Sequence, residues 1–118
     1  MLLYEIDQSQ TVMGTKIEAY LRLYDDHVEI CKPEPGGSGI SNPKYMTFHV
    51  PIDQIAAVEY KPAGGFLANG ILQFHVKGQP EQHAGMVKLP YASNAINFKK
   101  KHNDAAAQIK QYIDSHMD

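Results

Sequence analysis

Cysteine is nearly missing from this chain and tryptophan is missing altogether; Cys31 is the one thiol. A single cysteine cannot close an internal disulfide, so a fold stapled by its own disulfides is excluded. A reducing, cytoplasmic compartment is the expectation. Long apolar runs are lacking too. No stretch approaches the roughly 18 residues that a membrane-spanning helix needs. The opening MLLYEIDQSQ has no basic segment and meets Glu5 and Asp7 at once, so a signal peptide is not expected. Nor does charge of one sign prevail. Lysine and arginine number 11 against 13 aspartate and glutamate, a formal net charge of -2. That balance is unlike a dedicated nucleic-acid binder, and no nucleic acid is expected as a partner.

What is present suits one domain over residues 1–118. The hydrophobic share of 43% is ordinary for a globular protein, and a chain of this length can bury a core without metal or disulfide.

The apolar residues mostly recur with a period of two. In IEAYLRLY, residues 17–24, Ile17, Ala19, Leu21 and Leu23 fall on one face and Glu18, Tyr20, Arg22 and Tyr24 on the other. That is a half-buried strand. Asp25-Asp26 supplies a turn, and HVEIC returns with Val28 and Ile30 inward, making a hairpin. KPEPGGSGISNPK, residues 32–44, holds three prolines and three glycines after its lysine and reads as a surface loop. No Gly-Lys-Ser/Thr follows to make it a phosphate loop. YMTFHV, QIAAVEYK and ILQFHVK alternate again, the last with Leu72, Phe74 and Val76 inward and Gln73, His75 and Lys77 outward. HAGMVKL and NAINF are two weaker strands.

From about residue 100 the period changes. Ala105, Ala106, Ile109, Tyr112, Ile113 and Met117 recur in steps of one, three and four, the stripe of one amphipathic helix over about 100–117. Strands followed by a terminal helix predict an α+β, mainly β architecture. The expectation is a bent antiparallel sheet or partly open barrel of about seven strands, capped by the helix.

Several segments carry a resemblance. IAAVEYKPAG, NGILQF, NAINF and KKHN stand in that order, and IEAYLRLYDDHVEICK precedes them. Over roughly residues 14–116 the chain resembles the bacterial pleckstrin-homology-like (PH-like) domains of unknown function, the type often found beside a SHOCT module. The resemblance implies a PH-like fold, a bacterial or phage source and a binding scaffold. It carries no catalytic residues. The chain stops at Asp118 without a SHOCT-like tail, and GGFLANG is longer than the usual turn, adding Phe66 and Leu67. In EYKPAGGFLANGILQF, Gly64 and Gly65 permit angles closed to other residues. Asn69-Gly70 is a common turn pair, so the stretch reads as a hairpin connection.

Six histidines show no Cys/His pair and no H-x-x-x-H spacing; no metal or cofactor is expected, although His49 and His75 on polar strand faces are a conceivable pair. Cys31 ends a strand beside a loop, no G-x-S-x-G occurs and no triad or dyad stands out, so no enzyme is expected. Lys99, Lys100, Lys101 and His102 open the helix, where free backbone N–H groups favour an anion. With Lys61 and Lys44 they are the candidate ligand-binding residues. Lys32, Lys44 and Lys61 also make a candidate basic rim for anionic lipid head groups. Tyr20, Arg22 and Tyr24 share one strand face and are of the types enriched at binding hot spots. With Phe66 and Leu67 they are the candidate partner-binding residues.

The leading expectation is a non-catalytic binding module acting on a protein partner or on itself as a homo-oligomer. The alternatives are a membrane-surface module for anionic lipid and a protein that sequesters a phosphorylated small ligand.

Overall fold

A computed structural model of the protein describes residues 1–33, 44–64, 69–78 and 94–117. The strands are β1 (Leu2–Asp7), β2 (Gln10–Val12), β3 (Thr15–Ile17), β4 (Tyr20–Tyr24), β5 (His27–Pro33), β6 (Tyr45–Pro51), β7 (Ile55–Lys61), β8 (Gly70–Val76) and β9 (Ala95–Phe98). The helix α1 spans Asn103–Ser115. Two 3-10 turns intervene, Ile52–Gln54 between β6 and β7 and Lys100–His102 before α1. The expected α+β, mainly β architecture with one C-terminal helix is what the chain adopts. Among the described residues the strands form a four-stranded sheet in the order β1-β4-β5-β6, a two-stranded β2-β3 hairpin and a three-stranded sheet β7-β8-β9. Every pairing is antiparallel, and the sheets do not close into a barrel.

Register explains why the first sheet buries one face. Ile6, Leu21, Ile30 and Phe48 lie opposite one another across its four strands. Leu23, Val28 and Val50 form the next row, and all of these except the half-buried Phe48 are buried. Asp25 and Asp26 make the β4–β5 turn as expected. Cys31 is buried within β5.

The expected strand over 17–24 is two strands. Around Glu18 and Ala19 the backbone leaves the ladder and its N–H groups find side-chain oxygens. Glu18 N donates to Tyr45 Oη at 3.2 Å and Ala19 N to Ser9 Oγ at 3.2 Å. Gln8 N donates to Ala19 O at 2.7 Å. With those groups satisfied, β3 is free to turn away and pair with β2. This split, together with β1 and β2, brings the strand count to nine among the described residues.

Two sheet positions depart from strict alternation. In β7 both Ile55 and Val58 are buried, because a bulge between Ile55 and Ala57 shifts the register. In β8 the expected outward Gln73 is 2% exposed, and Ile71, Leu72 and Phe74 are buried with it. β8 is the central strand, flanked by β7 and β9, and it is covered on both faces, which removes the in-and-out pattern.

The 59–78 stretch is the β7–β8 hairpin, Tyr60 facing Leu72 and Lys61 facing Ile71. Gly70, however, is the first residue of β8 rather than part of the turn. A Cβ there would collide with the Phe98 ring and the Ala63 backbone N. Glycine is required by close approach, not by turn angles.

The helix is shorter than expected, since residues 100–102 make a 3-10 turn. Its apolar stripe is confirmed: Ala106, Ile109 and Ile113 are fully buried, with Ala105, Tyr112 and Met117 packed at the margin. The helix lies against β1 of one sheet and β7 and β8 of the other, so one core serves both. Asn103 fixes its start. Asn103 Nδ2 donates to Ala63 O at 3.0 Å and Ala63 N donates to Asn103 Oδ1 at 2.8 Å. HAGMVKL, Phe66 and Leu67 lie outside the described residues.

Candidate binding face

The alternation that buries Leu21 and Leu23 turns Tyr20, Arg22 and Tyr24 to the outer face of the four-stranded sheet, each half-buried. Register then supplies neighbours that strand alternation alone did not assemble. Glu5, Arg22, Glu29 and His49 lie opposite one another, one from each strand. Arg22 Nε donates to Glu5 Oε2 at 2.6 Å, and Arg22 Nη1 lies 3.7 Å from Glu29 Oε2. Glu29 Oε1 lies 3.7 Å from His49 Nδ1. The Arg22 guanidinium sits 4.0 Å from the centroid of the Tyr20 ring, a cation–π contact. Tyr24 stacks on His27 with centroids 4.6 Å apart and planes 12° apart, and His27 lies 6.0 Å from His49. Asp26 Oδ1 is 2.6 Å from His27 Nδ1.

The electrostatics hold these groups in defined states. Burial, then hydrogen bonding to Glu29, pushes the Tyr20 hydroxyl up to about 12, so it remains a donor at neutral pH. The hydrogen bond that Arg22 donates to Glu5 raises the Arg22 pKa further. The hydrogen bond with His27 holds Asp26 below the usual carboxylate range. The result is a continuous belt of two phenol rings, one guanidinium, two imidazoles and acceptor carboxylates. It offers stacking surface and both donors and acceptors, in side chains already ordered by one another. Glu5, His27, Glu29 and His49 were missed as site residues; the alternation of HVEIC shows that His27 and Glu29 face outward, but not what they face.

The expected anion corner is brought together only in part. Lys61 ends β7 in one row with Ile71 and Asn97, and Lys99 follows β9, so Lys61 and Lys99–His102 share one end of the three-stranded sheet. All four lysines are exposed. Two of the backbone donors there are already used: Lys99 N donates to Gln8 Oε1 at 2.7 Å and His102 N to Lys99 O at 2.9 Å. Burial holds the His102 imidazole below its ordinary range. Lys44 stands apart, exposed at the start of β6 in the other sheet.

Lys32 corrects the basic-rim expectation. It is 7% exposed, donates from Nζ to Ala95 O at 3.1 Å, and burial lowers its pKa to about 8. It links the two sheets instead of facing a membrane. His49 and His75 lie in different sheets, His75 Nε2 being 3.1 Å from Glu59 Oε1. Among the described residues no group of three or more His, Cys, Asp or Glu side chains is placed to hold a metal, and no helix is long and apolar enough to cross a membrane.

No protein-family model, curated protein or solved structure matches the chain.

Proposed function

We propose that the protein is a non-catalytic, PH-like binding module that engages a protein partner, or a second copy of itself, through the outer face of its four-stranded sheet. The observation that carries the reading is the ordered belt Tyr20, Arg22, Glu29, His49, His27 and Tyr24 on a solvent-facing sheet. Tyr and Arg held in place this way lose little entropy on binding, which is the character of interface hot spots. Among the described residues β6 is an edge strand beside the belt, and its edge adds backbone groups for strand addition.

The test is affinity capture from source cells with the wild type and a Tyr20→Ser/Tyr24→Ser variant side by side, followed by reconstitution from purified components. A partner, or a second copy, that binds the wild type and is released by the double variant at unchanged melting temperature supports the reading. Binding that ignores both substitutions sinks it.

A further inference from the structure

A second surface stands out independently of the sheet face. Residues Val12 to Thr15 form the two-residue turn of the β2–β3 arm, with Met13 at φ +50° and Gly14 at φ +81°. Left-handed angles at both positions are the geometry that favours Asn-Gly; a long apolar side chain at the first is disfavoured. Met13 is also 89% exposed, the most exposed large hydrophobic among the described residues. The same residue thus carries two unfavourable features, neither of which is relieved within the monomer. The arm is fastened at its base: Tyr45 Oη donates to Lys16 O and accepts from Glu18 N, and Ser9 Oγ accepts from Ala19 N. The tip is therefore presented on a held stem.

At the other end of the four-stranded sheet lies an open cleft of about 270 Å³, lined by Ile52, Ile55, Ala56, Met117, Asp53, Lys77 and His116. It sits beyond the β4–β5 turn, since Ile52 N donates to Asp26 O at 3.0 Å, whereas the arm springs from the opposite end of β4 at Tyr20. Ile52, Ile55, Ala56 and Met117 give it aliphatic and thioether walls, and Asp53, Lys77 and His116 give it charged and polar ones. The arm carries Lys16 and the cleft rim Asp53, and neither is in a salt bridge among the described residues.

We propose that Met13 of one copy seats in the Ile52–Ile55–Met117 cleft of a second copy, with Lys16 meeting Asp53, so that copies join head to tail. The occupant is a second copy because one chain carries both an exposed apolar knob with the Lys16 cation beside it and a cleft with aliphatic and thioether walls and the Asp53 carboxylate, at opposite ends where they cannot meet within one molecule. Such a contact is heterologous and extends beyond two copies.

Sedimentation velocity across a concentration series tests it. The wild type forms species that grow with concentration, and raising sodium chloride from about 50 to 300 mM weakens them. Met13→Asn keeps the turn, since asparagine tolerates the left-handed region, and weakens association by about tenfold or more. Ala56→Trp fills the cleft and does the same; if it fails to fold, Asp53→Lys replaces it. Lys77→Glu, which removes the cation on the same rim, strengthens association. Mixing Met13→Asn with Ala56→Trp restores one intact contact and yields a dimer that grows no further.

A wild type that stays monomeric at several hundred micromolar overturns the proposal, as does retention on anionic vesicles that Met13→Asn abolishes. A closed dimer insensitive to Met13→Asn but broken by Tyr20→Ser/Tyr24→Ser overturns it too, while leaving the sheet-face reading standing.

Discussion

The side-chain amide of Asn103 pairs with the backbone of Ala63 as a neighbouring strand would, accepting from its N–H and donating to its carbonyl. Tyr60 Oη adds a donor to the Asn103 carbonyl at 3.3 Å. The helix is thereby clamped to the end of β7 at the point where the chain leaves the sheet. The basic run just before Asn103 is brought to this corner by the clamp, and the clamp is structural.

Asn103→Ala leaves both Ala63 groups without that partner and is expected to cost about 1–3 kcal/mol, the range for a part-buried hydrogen-bonding group left unsatisfied. Asn103→Asp keeps the acceptor and loses the donor, so it falls between the two. Urea denaturation of the three proteins gives the ranking, and equal stability of wild type and Asn103→Ala contradicts the clamp.

Gly70→Ala forces a methyl against the Phe98 ring and the Ala63 backbone. Overpacking of this kind costs about 1–3 kcal/mol. Phe98→Leu removes the nearer obstacle, so the double variant loses less than the sum of the two single losses. Additive losses in the double-mutant cycle mean that the contact is not what requires glycine.

Lys32 makes stability depend on pH above neutrality. Its folded pKa is lowered by burial to about 8 from an ordinary value of 10.5. Between those values the unfolded chain binds the extra proton, so stability rises as pH increases through that window. The magnitude is a few kcal/mol at most, at about 1.4 kcal/mol for each pH unit separating the two pKa values. Chemical denaturation between pH 7 and 10 is expected to show the rise in the wild type and a flatter profile in Lys32→Met. Parallel profiles remove Lys32 as the cause.

Met13→Asn is expected to raise stability by about 0.5–1 kcal/mol, since asparagine accepts the left-handed backbone more readily than methionine. Thermal unfolding at a concentration where the wild type is monomeric separates this gain from any change in assembly.

Arg22→Ala should change stability by less than about 1 kcal/mol, because the Arg22–Glu5 pair is about a third exposed on each side and open to screening. On the proposed sheet-face reading, a partner of that face loses affinity for Arg22→Ala while the melting temperature barely moves.

The residues that could be read in advance were those governed by local period. Leu21, Leu23, Val28 and Ile30 in the first hairpin, and Ala106, Ile109 and Ile113 on the helix, all occupy the faces their spacing implies. What escaped depends on contacts between distant segments. The burial of Gln73 follows from β8 lying between two other strands, and the need for Gly70 follows from where Phe98 comes to rest. The bulge at Ile55 and Ala57 shifts a pattern that strict alternation cannot represent. At the candidate binding face, Tyr20, Arg22 and Tyr24 were legible from alternation alone. Glu5, Glu29 and His49 join them only once the register of three strand pairs is known.

Cys31 gives the molecule a built-in reporter. It is the chain's one thiol and it lies 5% exposed between β4 and β6. A thiol reagent therefore reaches it when the β4–β5–β6 ladder opens, and the labelling rate under native conditions counts those openings. A ligand or second copy that clamps the outer face slows labelling by the fraction of molecules it occupies, so occupancy is readable without attaching a foreign probe.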